Sequence, residues 1–141
     1  MTHPMSVRFK RPGVAERLKA EAAARGESTS SLAEELIDEG LRTRRHPLVV
    51  FRDGPTGRRA GLLGGPDVWE VVGAIVGGDV PASERVQRAV ELFGTPAAQV
   101  GAALGYYAEF TEEVDAEVAA NLAAADEVEA QWRRAQGLLA G

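Results

Sequence analysis

Apolar and polar residues alternate at the start of the chain. In M-S-V-R-F-K, Met5, Val7 and Phe9 fall on one side and Ser6, Arg8 and Lys10 on the other. A period of two predicts a strand with one dry face, over Met5 to Arg11. After Pro12-Gly13 the period lengthens. V-A-E-R-L-K-A-E-A-A-A-R predicts a helix over Val14 to Arg25, with Val14, Ala15, Leu18 and Ala22 as its stripe and Gly26 as its stop. Ser28 then reads as the cap of a second helix whose apolar face is Leu32, Leu36, Ile37 and Leu41, closed by His46-Pro47.

Two apolar runs, Leu48 to Phe51 and Ala60 to Leu63, flank Asp53, Gly54, Pro55 and Gly57 and predict a hairpin. Three helices are predicted next. One starts near Asp67 with Val68, Trp69, Val72 and Ile75 inside, and a second buries Val86, Val90 and Phe93. The third is capped by Thr95 with Pro96 in its first turn, and turns Val100, Ala103, Leu104 and Tyr107 inward. Thr111 reads as the cap of a long last helix. Its face runs Val114, Val118, Leu122, Ala125, Val128, Trp132, Ala135 and Leu139, with spacings of three and four throughout. The fold class is therefore mainly α with short β, in three parts: residues 1–46, a hairpin and small helical domain over 47–110, and the long helix over 111–141.

Composition and charge refine this picture. At 141 residues and 45% hydrophobic, the chain can bury a core, but with 6% aromatic residues that core must rest on Ala, Val and Leu. There is no cysteine, so disulfides and thiolate metal sites are excluded. No apolar run reaches a membrane span or a signal-peptide core, and cytoplasmic placement is the expectation. The net charge of −5 is uneven. Up to His46, nine basic residues oppose seven acidic ones. The remainder has seven against fourteen. A mildly basic head on an acidic body suggests two tasks, with the head meeting an anion.

One short strand cannot satisfy its own backbone, and no second strand follows for more than thirty residues. The economical solution is a second copy. Two strands pair antiparallel over four helices, with Met5, Val7, Phe9, Leu32, Leu36 and Ile37 as a shared dimer core. Ser6, Arg8 and Lys10 then face outward, with Arg11 beside them, on a ribbon that fits the DNA major groove. Arg8 suits a bidentate contact to guanine, and Lys10 suits guanine or phosphate. Ser28, Thr29 and Ser30 offer hydroxyls and free N–H groups to a phosphate at the second helix's start. The plainer readings are a solvated edge for the strand and an ordinary cap for S-T-S-S.

On these residues, Met5 to Arg45 resembles a ribbon-helix-helix DNA-binding domain, the fold of the Arc and MetJ repressors and of many bacterial antitoxins. Pro12-Gly13 departs from the family's usual Pro-Asp/Glu. The body also resembles a known pattern. R-R-A-G-L-L-G-G-P-D-V-W-E-V-V, T-P-A-A-Q-V-G-A-A-L-G-Y-Y and T-E-E-V-D-A-E-V are similar to a small bacterial helical domain often encoded as an antitoxin beside PIN-domain ribonuclease toxins. The combination resembles a VapB-type antitoxin, and that resemblance implies operator DNA and a PIN-domain ribonuclease toxin as partners.

The middle helices look like a helix-turn-helix, but Thr95 to Tyr107 holds no Lys or Arg to neutralise phosphate. This helix reads as a packing or dimerisation element, and Trp69, Tyr106 and Tyr107 as core and interface. In the tail, Trp132 lies beside Arg133 and Arg134, a hot-spot composition. With Val128, Leu138 and Leu139 it could fill a groove on the toxin, whose metal-binding carboxylates an arginine could engage. The alternative is a last helix folded back on its own domain or zipped to the dimer partner.

Nothing points to an enzyme. His3 and His46 stand beside no nucleophile, Ser28 to Ser31 lack a base, and G-L-L-G-G-P-D has no following Lys-Ser/Thr. Neither a cofactor nor a metal is expected. The sequence reads as an antitoxin and autorepressor, with homodimers or larger homo-oligomers and no membrane partner. The competing reading is a free-standing ribbon-helix-helix regulator whose helical part senses a ligand or sets oligomeric state. A third is a structural dimer module without a DNA role.

Overall fold

The computed structural model describes residues 2–140. It is mainly helical, with a two-stranded antiparallel sheet and a long last helix. The chain divides into two compact units, Met1–Leu41 and Arg42–Gly141.

The first unit is built on α1 (Val14–Arg25) and the larger part of α2 (Thr29–Arg45). Gly26 ends α1 in the left-handed region at φ 68°, which glycine adopts without a Cβ clash. Its N–H donates to the Ala23 carbonyl at 3.2 Å, and that of Glu27 to Ala22 at 2.9 Å, so two terminal carbonyls are satisfied. Ser28 caps α2, its Oγ accepting from the Ser31 N–H at 3.1 Å. Ala22 and Leu32 are buried, and Val14, Ala15 and Leu18 are half-buried. The expected strand is absent: residues 2–10 have no regular secondary structure and Met5 to Arg11 are exposed. The physical reason is pairing. A strand exists only through its ladder, and among the described residues the sheet has two strands, β1 and β2, neither of them from the N-terminal segment.

In the second unit, β1 (Val49–Arg52) pairs with β2 (Arg59–Leu62), with Val49 opposite Leu62 and Arg52 opposite Arg59. Gly54 and Gly57 close the turn by exchanging two N–H···O bonds of 3.0 Å. Then come α3 (Val68–Ile75), a short 3-10 turn (Ala82–Glu84), α4 (Arg85–Phe93), α5 (Ala97–Glu109) and α6 (Thr111–Ala140). The core gathers Val49 and Leu62 from the hairpin, Val68, Val71, Val72 and Ile75 from α3, Ala89 from α4, Val100, Ala103 and Tyr106 from α5, and Val114 from α6.

Several inward positions differ from the periodicity. On α4 the fully buried residue is Ala89, while Val86 is 37% exposed. A small residue at the contact lets a short helix lie close to α3 and α5. On α5 Tyr106 is fully buried, whereas Leu104 and Tyr107 are half-buried. Pro96, not Thr95, is the N-cap of α5, and the buried Thr95 donates its hydroxyl to the Phe93 carbonyl at 3.5 Å. Thr111 is the first residue of α6, and its hydroxyl donates back to the Tyr107 carbonyl at 2.7 Å. That bond satisfies an end carbonyl of α5.

Candidate nucleic-acid and partner-binding surfaces

Three places carry more than core packing: an apolar groove in the first unit, a polar cluster in the second, and the distal half of α6.

The groove has a volume of about 1320 Å³ and is open to solvent. Met5, Val7 and Phe9 line it from the N-terminal segment, Leu18 from α1, and Leu36, Ile37 and Leu41 from α2. These side chains are large and they are wet. Met5 is 88% exposed, Ile37 54% and Phe9 49%. Of the six residues expected to form a shared core, only Leu32 is buried within one chain. Contiguous apolar surface of this kind marks an interaction site on a folded chain. Ser6, Arg8, Lys10 and Arg11 are exposed. Thr29 and Ser30 line the groove, and Ser28 has its oxygen occupied as the helix cap. Thus only part of the S-T-S-S set stands clear for an anion.

In the second unit, Asp67 is buried at the N-cap of α3. Its carboxylate accepts from Arg52 Nε at 2.7 Å, from Arg59 Nε, and from the Trp69 indole N–H at 3.2 Å. Arg52 also donates to the Gly65 carbonyl at 2.8 Å, and the Asp67 N–H donates to the Glu70 carboxylate at 2.7 Å. Burial acts to raise the Asp67 carboxyl, but the hydrogen bonds and charges of Arg59 and Arg52 together outweigh it and hold the group below its ordinary range. Glycine makes room for this cluster. A Cβ at Gly61 would sit 2.2 Å from the Arg52 guanidinium, so a side chain there would have to push that arginine from its place beside Asp67.

A second constellation joins the end of α2 to α5 and α6. Arg42 donates to the Tyr106 hydroxyl at 2.7 Å and to the Glu113 carboxylate at 2.6 Å, and its guanidinium lies 4.0 Å from the Phe110 ring centre. His46 meets Glu109 at 2.7 Å and packs edge-on against Tyr106, ring centres 5.3 Å apart. Burial pushes the Tyr106 hydroxyl well above its ordinary range. Nearby, one buried oxygen of Glu117 has no hydrogen-bond partner. Burial, then the charges of Glu113 and Asp67, push this carboxyl up to about 7. These clusters fix the second unit: Arg52 and Arg59 lock the hairpin to α3, and Arg42 and His46 are held by α5 and α6. Among the described residues, no group of three His, Cys, Asp or Glu could hold a metal ion, and no helix is long and apolar enough to cross a membrane.

Neither cluster is visible in the periodicity of the chain. Arg42 lies in the last turn of α2, where the helix dipole alone would favour a cation, and nothing local in the sequence points to its partners. Asp67 was only a helix start, although D-x-x-E before an apolar run is a capping signature. A cross-strand pair of like charges, Arg52 opposite Arg59, needs a carboxylate nearby. That was the signal available.

The distal half of α6 is bare. Val114 is fully buried and Val118 packs against the core, and Asn121 accepts from the Thr56 hydroxyl at 3.2 Å. Beyond that point Leu122, Val128, Trp132, Leu138 and Leu139 are 59–85% exposed. Arg133 pairs with Glu129 at 2.6 Å and Arg134 with Glu127 at 3.4 Å, all on α6 itself. The helix is therefore not folded back on its own domain. At 1.5 Å per residue its thirty residues span about 45 Å.

No protein-family model, no curated protein and no solved structure matches the chain.

Proposed function

We propose that this chain is a dimeric DNA-binding antitoxin that represses its own operon and silences a PIN-domain ribonuclease. The observation that carries the reading is the exposed groove of the first unit. Met5, Val7 and Phe9 line it together with Leu36, Ile37 and Leu41, while Arg8, Lys10 and Arg11 stand exposed on the same short segment. A second copy would cover the apolar side chains. It would also supply the strand that residues 5–11 lack, leaving two sets of Arg8 and Lys10 on one ribbon of major-groove width. The ribbon-helix-helix arrangement thus belongs to the dimer in this proposal, and the single chain is its unassembled half.

The toxin-binding part rests on the bare end of α6. Trp132 flanked by Arg133 and Arg134 on an exposed helix has the composition of an interface anchor. An arginine leaving its pair on α6 could engage the toxin's metal-holding carboxylates bidentately. No step in this reading asks the chain to catalyse a reaction.

The test is co-expression with the adjacent gene product, followed by purification and a toxicity assay. A complex that binds the promoter of its own operon, and rescue of a lethal neighbour, are the expected results. Deleting Gln131 to Gly141 should abolish neutralisation and leave DNA binding intact. A harmless neighbour, with operator binding retained, would favour the free-standing regulator instead.

A further inference from the structure

Around the base of α6 the pairing of acids with arginines leaves one acid over. Asp67 takes both Arg52 and Arg59. Glu113 takes Arg42 at 2.6 Å and the Tyr106 hydroxyl at 3.1 Å. Glu117 takes neither kind of partner: among the described residues, no donor reaches its buried Oε2. Nη1 of Arg59 is buried without an acceptor, yet it does not reach Glu117, because the same guanidinium is committed to Asp67 through Nε.

The charges that act on Glu117 come from four elements. Glu113 on α6 itself and Asp67 at the start of α3 oppose its ionisation; Arg42 at the end of α2 and Arg59 on β2 favour it. Burial adds the largest effect, on the opposing side, and the carboxyl is pushed up to about 7.

Little holds this stretch of α6 in place. Past Val114, among the described residues, Val118 alone of α6 packs against the core, over Gly73 of α3. Asn121 accepts from the Thr56 hydroxyl in the hairpin turn at 3.2 Å and donates to the Glu117 carbonyl at 2.8 Å.

We infer that Glu117 is a proton-operated release for this stretch of α6. Neutral, it lies closed against the hairpin and α3. Ionised, it draws in water, and α6 lets go of Gly73 and Thr56 from Glu117 onward, while Val114 and the Glu113–Arg42 pair still hold its first turn. A buried carboxylate that no donor meets is costly where it lies and cheap in water. The smallest opening that hydrates it breaks one hydrogen bond and one side-chain contact, far less than global unfolding breaks. The bare part of α6 then begins about one turn earlier, at Val118 instead of Leu122. The inference goes beyond the proposed function and rests neither on DNA binding nor on the identity of any toxin.

The chain has no cysteine, so an introduced thiol reports release by its labelling rate. The full chain is used, with Val118→Cys as the reporter. Ala124→Cys, exposed on the same helix, supplies the reference rate at each pH. The ratio of reference to reporter rate is the protection of position 118. It should fall about tenfold or more between about pH 5.5 and 8.5, as a carboxyl raised from 4.5 to about 7 allows. In Val118→Cys with Glu117→Gln the protection should stay flat. Val72→Cys, buried on α3, opens only with the whole unit and should label about tenfold or more slowly than Val118→Cys near pH 8.5. Carboxyl-carbon NMR of the wild type follows the ionisation of Glu117 itself. If Glu117 titrates while position 118 keeps its protection, its side chain turns out alone and the inference is overturned. Equal labelling at 118 and 72 would overturn it as global unfolding. A fall that survives Glu117→Gln would overturn it by assigning the effect to another group.

Discussion

The Asp67 carboxylate and the Arg52 guanidinium meet at 2.7 Å across fifteen residues of sequence, joining the hairpin to the first turn of α3. Arg59, on the opposite strand, donates to the other oxygen of the same carboxylate. One acid thus serves two arginines that sit directly across the hairpin from each other. Without it, two like charges would face each other beside an apolar core.

Removing that acid should therefore cost more than one hydrogen bond. Asp67→Asn leaves both guanidinium groups without a counter-charge, and Arg59 is mostly buried. A loss of about 2–4 kcal/mol in folding stability is the expected result, read as a lower urea midpoint. The sign of the pH dependence follows from the lowered Asp67 carboxyl. Its stabilising effect is complete above the unfolded carboxyl value of about 3.9 and is lost as pH falls through the folded value. Wild type should lose stability with acid in that range, and Asp67→Asn should lose less.

Glu117 works in the opposite direction. Its carboxyl is pushed up to about 7 by burial and by Glu113 and Asp67. An acid raised above its unfolded value binds more protons folded than unfolded between about 4.5 and 7, so stability falls as pH rises through that window. Thermal midpoints of the wild type should therefore be higher near pH 5.5 than near pH 8, as far as this group governs them. Glu117→Gln should flatten that slope and raise the midpoint at about pH 8. An unchanged slope in the variant would assign the effect to another group.

Much of the fold was legible because most of it is local. Gly26, Ser28, Gly94 and the turn around Gly54 punctuate the chain where the structure breaks. The period of α3 identified Val68, Val72 and Ile75 as core. Less legible were relationships made by folding. No spacing rule links Arg42 to Glu113, which are far apart in sequence, or turns Tyr106 rather than Tyr107 inward. Periodicity also ran Val114 to Leu139 as one face, but only Val114 and Val118 find a core to cover. The candidate surfaces were legible for the same reason in reverse: Phe9, Ile37 and Trp132 obey an apolar period while nothing in the chain buries them.

The Arg42 cluster should respond to its hub. Tyr106 is fully buried, with its hydroxyl accepting from Arg42 at 2.7 Å and donating to Glu113 at 3.1 Å. Tyr106→Phe keeps the ring and removes only the hydroxyl, so a cost of about 1–2 kcal/mol is expected. Tyr106→Ala also empties the core and should cost about 3–5 kcal/mol. Denaturant titration of the two variants separates the hydroxyl from the ring. Equal losses would mean that the polar cluster, not packing, holds α5 in place.

The groove in the first unit gives the sharpest separation between assembly and recognition. Phe9 and Ile37 line it and are 49% and 54% exposed in one chain. If a second copy covers the half of each that is still exposed, each contributes about 0.7–1.5 kcal/mol of burial per chain, counted twice by symmetry. Phe9→Asp or Ile37→Asp should therefore shift this end of the molecule from dimer to monomer by sedimentation. Operator binding should fall with it, because one half-ribbon cannot fill the groove. Arg8→Ala should behave differently. Arg8 is exposed and lies outside the groove lining, so the dimer should persist while operator affinity drops about tenfold or more, with a shallower dependence on salt. Loss of DNA binding in Phe9→Asp with the dimer intact would place the strand's dry face against DNA and reverse the assignment of its two sides.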